Sequence, residues 1–279
     1  MESTDQSART GPEGGGPDDA AVVVRRSGGI VRLVLNRPGQ RNALDPELAG
    51  ALASAIESAS GDHDVRVIVI AGAGSTFCAG AKLNALLAAS ERGDAEGVAA
   101  SFRVVERVYR ALLECRPPVI AAVNGPALAG GAGIVGASDF AIASTNASLG
   151  YPEILLGLTP GMVMTLLVRQ AGLRVALDLA LTGRRVVADE ALRLGLLTEV
   201  VPSEELEARV DELARQVAGL SPGAVAATKR WAWTLADAAR LMEQGRDLST
   251  LLALSDEARS GMRAFFDRAA RAERERKPR

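Results

Sequence analysis

Two stretches constrain the fold of this chain more than anything else in it. Val65–Gly72 reads VRVIVIAG and Pro117–Gly125 reads PPVIAAVNG. A strand with one wet face alternates apolar and polar residues. A short run that is apolar at nearly every position fits a strand buried on both faces, as in a parallel sheet covered by helices. Each run also leads into a glycine-rich turn, GAGSTFCAGAKL (72–83) and GPALAGGAGIVG (125–136).

The rest of the chain fits around such a sheet. AVVVRRSGGIVRLVLNRP reads as a hairpin, with strands near Val22–Arg26 and Ile30–Leu35 and a turn at Ser27-Gly28-Gly29. DPELAGALASAIESAS gives a helix, with Asp45 as N-cap, Pro46 at its first position and Leu48, Leu52 and Ile56 every fourth residue. Phe102, Val105, Tyr109 and Leu112 form one stripe of a helix over Phe102–Leu113. Phe140–Ser144 is a further strand, VADEALRLGLL is helical, and helices dominate from about Ser203. Strands and helices alternate to about residue 160, so the fold class is α/β with a helical C-terminal region.

Composition removes several classes of function. The 279 residues carry a net charge of −2 with both signs interspersed, which argues against a nucleic-acid-binding surface. The single histidine, His63, lies in the polar turn GDHDVRV and is not expected to be catalytic. Cys78 and Cys115 form no CxxC pair, so no zinc site of ordinary spacing can be written. No apolar run reaches the 18 or so residues of a membrane span, and the N-terminus lacks the core of a signal peptide. A reducing, cytoplasmic setting is expected. Residues 1–20, rich in Gly, Pro, Ser and Asp, read as a disordered tail.

Gly131-Ala-Gly133-Ile-Val-Gly136 spells GxGxxG, and Glu153 lies near the distance expected of a ribose-binding acid. However, NGPALAG, with Pro126, separates the strand from the first glycine, whereas a dinucleotide turn follows its strand directly. The competing reading uses both glycine turns. Two glycine-rich strand exits can set two backbone N–H groups side by side as an oxyanion hole, which stabilises a carbonyl oxygen gaining negative charge.

Six stretches taken together resemble the crotonase superfamily, the enoyl-CoA hydratase/isomerase family. They are LNRPGQRNAL (35–44), GAGSTFCAGAKL (72–83), PPVIAAVNGPALAGGAG (117–133), YPEILLGLTPG (151–161), LTGRRVVADEALRLGLLTEVVP (181–202) and GMRAFF (261–266). The resemblance implies a ClpP-like ββα spiral core over 21–202. Residues 203–279 would form a helical trimerisation region, assembled as a homotrimer or dimer of trimers. It implies an acyl-CoA thioester substrate, with no metal and no cofactor beyond the coenzyme A moiety, and neither nucleic acid nor membrane as partner. The oxyanion donors would be the N–H groups of Ala81 and Gly130. Arg41, Ala43, Ala79 and Leu83 match positions lining the coenzyme A channel. Phe266 and the basic residues after it match a C-terminal helix that contributes there, and Lys82 is placed to meet a phosphate or a substrate carboxylate.

Family hydratases hold a water between two glutamates. One matches Glu153, which its apolar neighbours should keep protonated at higher pH than usual. The other position is Gly133 here. One carboxylate can shuttle a proton between two substrate carbons more simply than it can run a hydration, so isomerisation is favoured over hydration. A Tyr151 hydroxyl is a candidate replacement donor, because residues i and i+2 share a face in an extended segment. Met162 and Met164 are candidates to reshape the acyl pocket. A biosynthetic decarboxylase or carbon–carbon bond-forming enzyme is a second reading. A non-catalytic acyl-CoA-binding or RNA-associated scaffold is a third.

Overall fold

The computed structural model describes residues 20–276; the proposed N-terminal tail lies almost wholly outside them. The chain opens with the antiparallel hairpin β1 (Val22–Ser27) and β2 (Ile30–Leu35), turning at Gly28 with φ 56°. Helix α1 (Pro46–Gly61) follows. The Asp45 side chain accepts from the Leu48 N–H at 2.9 Å, and Leu48, Leu52 and Ile56 are fully buried along its inner face. Strand β3 (Val67–Gly72) is next, then α2 (Leu83–Glu91), α3 (Ala95–Glu114) and β4 (Val119–Val123). The second glycine loop holds the short strand β5 (Ala127–Leu128) and opens α4 (Gly130–Ala137).

Strands β6 (Phe140–Ser144) and β7 (Ser148–Gly150) lead to a single 3-10 turn over Pro152–Leu156. Beyond it come α5 (Gly161–Thr182), β8 (Arg185–Val187), α6 (Ala188–Arg193) and β9 (Glu199–Val201). The chain closes with α7 (Leu206–Ala218), α8 (Pro222–Ala236), α9 (Ala238–Ala253) and α10 (Asp256–Arg276). Among the described residues no helix is long and apolar enough to cross a membrane.

The main sheet has the order β1-β2-β3-β4-β6-β9, parallel throughout except for the first hairpin. Its central strands are apolar on both faces because both are covered. Ile68 and Ile70 of β3, with Val119, Ala121 and Val123 of β4, join the core under α1 and α3. Val67, Val69 and Ala71, with Ile120 and Ala122, join a second core against Leu206, Val210, Ala214 and Val217 of α7. Helix α7 thus covers the sheet, although it lies beyond the expected core boundary at residue 202.

Alternation of strands and helices also runs past residue 160, since β8 and β9 lie there. β9 sits within the stretch LLTEVV, after only six residues of helix in α6. A second sheet, β5-β7-β8, is built entirely from two- and three-residue strands. It carries the backbone from the second glycine loop to the turn that holds Glu153.

Candidate active site

The two glycine loops hydrogen-bond each other directly. The Cys78 N–H donates to Pro126 O at 3.2 Å and the Leu128 N–H to Cys78 O at 2.9 Å. Glycine is what lets the backbones meet: a β-carbon at Gly131 would stand 2.2 Å from Cys78 O. Gly80, at φ 89°, faces the other loop in the same way, where a β-carbon would stand 2.8 Å from Leu128 O. The first glycine of Gly131-Ala-Gly133-Ile-Val-Gly136 therefore serves a loop-to-loop contact, while Gly133 faces Tyr109 and Gly136 faces Gln170 and Leu166.

This contact leaves two donors facing one space. The Leu44 N–H donates to Gly80 O at 2.8 Å and the Lys82 N–H to Leu44 O at 2.9 Å, which passes over the Ala81 N–H. Gly130 is the first residue of α4, where an N–H has no intrahelical acceptor and the helix dipole is positive. Neither N–H donates to another backbone group among the described residues. A β-carbon at Gly130 would stand 3.5 Å from the Ala81 nitrogen, so the two residues adjoin across the loops. The aim of the second is set by Ala129, held at φ 49°, ψ −118°, a conformation that costs an alanine on the order of 1–3 kcal/mol. The first loop is pinned by Asn42, fully buried, whose side-chain amide donates to Ala73 O, Thr76 O and Phe77 O.

Both donors line a cavity of about 340 Å³, together with Glu153. Desolvation pushes the Glu153 carboxyl up to about 7, partly offset by its own backbone N–H. Its buried Oε2 has no hydrogen-bond partner, so it is free for a ligand atom. Arg41, Ala79, Leu83 and Met162 also line the cavity, whereas Ala43, Lys82 and Met164 do not. Lys82 is exposed and holds Gln40 Oε1 at 3.1 Å, with Asp45 Oδ2 at 3.7 Å. From α10 the lining residues are Phe265 and Arg268; Phe266 packs edge-on against Phe265, ring centroids 5.5 Å apart.

Tyr151 is buried beside Glu153 but is not a lining residue. The extended segment that would put both on one face is not formed. Tyr151 sits at φ −124°, ψ 67° and Pro152 starts the 3-10 turn, so alternation stops there. The tyrosine that does line the cavity is Tyr109 of α3, with Thr159 and Ser249 as further hydroxyl-bearing lining residues. The Tyr109 hydroxyl donates to Gly130 O at 3.0 Å. Burial first, then Glu153, Cys78 and Tyr151 beside it, hold this phenol well above its ordinary range, so it stays protonated. Its sequence signal was present but undirected: a tyrosine on an apolar helical stripe must find a partner for its hydroxyl when buried.

Known proteins share this arrangement of sequence and fold. Residues 25–272 match the family model of enoyl-CoA hydratase/isomerase. A short-chain-enoyl-CoA hydratase of Clostridium acetobutylicum is 36% identical over 212 residues, 75% of this chain and 79% of that one. The crystal structure of an enoyl-CoA hydratase/isomerase from Xanthobacter autotrophicus Py2 superposes with a TM-score of 0.81 at 30% identity, covering 92% and 98% of the two chains. That of a monofunctional enoyl CoA isomerase from M. smegmatis gives 0.67 at 32% identity, covering 78% and 94%. The chain belongs to the enoyl-CoA hydratase/isomerase family of the crotonase superfamily and is an enzyme of that class.

Proposed function

We propose that this enzyme moves a double bond within an enoyl-CoA thioester, using Glu153 as its sole acid/base. The observation that carries the reading is a desolvated carboxyl near pKa 7 in a cavity where position 133 supplies no second carboxylate. The Ala81 and Gly130 N–H groups receive the thioester oxygen. Glu153 as carboxylate takes a proton from C2 of a 3-enoyl thioester. The electron pair moves onto the thioester oxygen, giving a dienolate held by the two donors. Glu153, now protonated, returns the proton to C4, the oxygen's electron pair re-forms the carbonyl, and a 2-enoyl thioester results. A group of pKa near 7 is half ionised at neutral pH and so serves both steps. Arg41, Ala79, Leu83 and Arg268 are proposed to hold the coenzyme A moiety from the cavity wall.

The test is turnover of matched 3-enoyl- and 2-enoyl-CoA substrates in heavy-oxygen, deuterated water, read by mass spectrometry. Double-bond migration with deuterium and no heavy oxygen is expected. Heavy oxygen in the product would overturn the isomerase assignment in favour of hydration.

A homotrimer or dimer of trimers is the proposed assembly. Leu173, Leu177 and Leu181 support it, since they repeat every fourth residue on α5 and all stand exposed. Analytical ultracentrifugation at micromolar protein would give a monomer mass if this is wrong.

A further inference from the structure

The absence of a glutamate at position 133 has a physical counterpart in the neighbouring helix. A β-carbon placed on Gly133 would stand 2.2 Å from the Tyr109 hydroxyl oxygen, 2.4 Å from its Cζ and 2.8 Å from its Cε1. All three lie inside the closest approach of real β-carbons, so the phenol ring occupies the space that any side chain at 133 must enter. The ring cannot simply swing away. Tyr109 is fully buried in the main core, and its hydroxyl is tied to Gly130 O at 3.0 Å. Gly130 carries the second proposed oxyanion donor, and both Tyr109 and Gly130 line the cavity with Glu153.

We propose that Tyr109 sets the reaction type of this site: its ring takes the place of a second carboxylate, and its hydroxyl fixes the Gly130 end of the oxyanion loop. Tyr109 and Gly133 are then one device. Neither residue can be exchanged for hydratase chemistry without the other. The inference rests on the isomerase reading above, and it makes Tyr109 a specificity and positioning residue rather than a proton carrier.

The experiment compares four proteins: wild type, Tyr109→Phe, Gly133→Glu and the double variant Tyr109→Ala/Gly133→Glu. Each is given 3-hexenoyl-CoA and trans-2-hexenoyl-CoA in heavy-oxygen water, with thermal melting as the check on folding. Tyr109→Phe keeps the ring and loses one neutral hydrogen bond, so kcat should fall about three- to tenfold. KM should hold within about twofold, as for an interaction that matters in the transition state. Gly133→Glu should lose isomerisation and gain no labelled oxygen. The double variant has room for the carboxylate and should label its 3-hydroxy product at least about 100-fold above wild type, the lower reach of one added acid/base.

The proposal is overturned if Gly133→Glu alone labels product as well as the double variant does. It is equally overturned if the double variant folds and binds the thioester but incorporates no oxygen. Should the double variant fail to fold, Tyr109→Phe decides the hydroxyl's role, where unchanged kcat overturns the proposal and a fall at constant KM supports it, and the smaller pair Tyr109→Ala/Gly133→Asp decides the ring's, where a folded variant that labels no product overturns it. Labelled oxygen in the wild-type product would count against the isomerase reading, whereas the comparison of single and double variants reads the Tyr109–Gly133 pair.

Discussion

At the scale of single residues, the proposed chemistry turns on what burial does to Glu153. Its carboxyl is shifted from an ordinary 4.5 to about 7 because the charged form is desolvated. If the carboxylate is the base, kcat/KM of the free enzyme should rise with pH and level off above about 7. Glu153→Gln should abolish that limb and lower kcat by roughly 10²–10⁴-fold. Stability should move the other way. Between 4.5 and 7 the folded protein binds the Glu153 proton that the unfolded chain has released, so this group's contribution to stability falls as pH rises. The loss is on the order of 3 kcal/mol at 1.36 kcal/mol per unit. Glu153→Gln should therefore gain on wild type in chemical denaturation as pH passes from 4.5 to 7. A constant difference across that range would mean the carboxyl is not desolvated.

At the scale of elements, the site is a junction of two loops and a helix start. The Ala81 and Gly130 donors meet because Cys78 pairs with the β5 backbone and α4 begins at once behind it. Gly130→Ala puts a methyl 3.5 Å from the Ala81 nitrogen and 3.3 Å from Leu44 Cδ1, contacts a fold can absorb. The thioester oxygen cannot share that space. The variant should keep its melting temperature within a few degrees yet lose about 10²–10³-fold in kcat, as when an oxyanion donor is removed. Full activity would move the oxyanion site elsewhere. The same scale shows which elements were legible. Asp45, Pro46 and the Leu48–Leu52–Ile56 spacing specify α1 locally, and it forms there. The three residues of β7, β8 or β9 carry no period of their own; they are strands only because a remote partner completes their hydrogen bonds.

At the scale of the whole molecule, the helices after residue 203 are tied into the core rather than appended to it. Lys229 of α8 is buried with its Nζ 2.7 Å from Asp139 Oδ2, 3.1 Å from Pro117 O and 3.2 Å from Cys115 Sγ. Asp139 also accepts from the Val119 N–H at 2.8 Å and from Trp233 Nε1 at 3.0 Å. This one cluster fastens α8 to the start of β4. Removing one partner of a buried pair leaves the other uncompensated, typically a loss of 3–5 kcal/mol. Lys229→Ala should lower the urea midpoint accordingly, while Lys229→Arg should recover part of it; no shift would mean that α8 is not fastened through this pair. At the far end, α10 packs on the Glu153 turn, where a β-carbon at Gly261 would stand 2.4 Å from Leu156 O. The last helix therefore buttresses the turn of the proposed acid/base from outside.

Features written in local patterns follow from the residues alone. The uninterrupted apolar runs of β3 and β4 required cover on both faces. The two glycine turns required close backbone approach, and Glu153 lay in an apolar setting that predicts a raised pKa. The closed core, by contrast, sets which side chains share a space across long separations. It put Tyr109, not Tyr151, on the cavity, because the 3-10 turn at Pro152 ends the alternation while α3 aims the phenol at Gly133. It put Phe265 and Arg268, not Phe266, on the wall, because the phase of α10 is set by packing against the Glu153 turn. A β-carbon at position 133 would meet, at 2.2 Å, the hydroxyl of a residue 24 positions away along the chain. Local propensity acts over a few residues, whereas the exclusion of one side chain by another is settled only when the core closes.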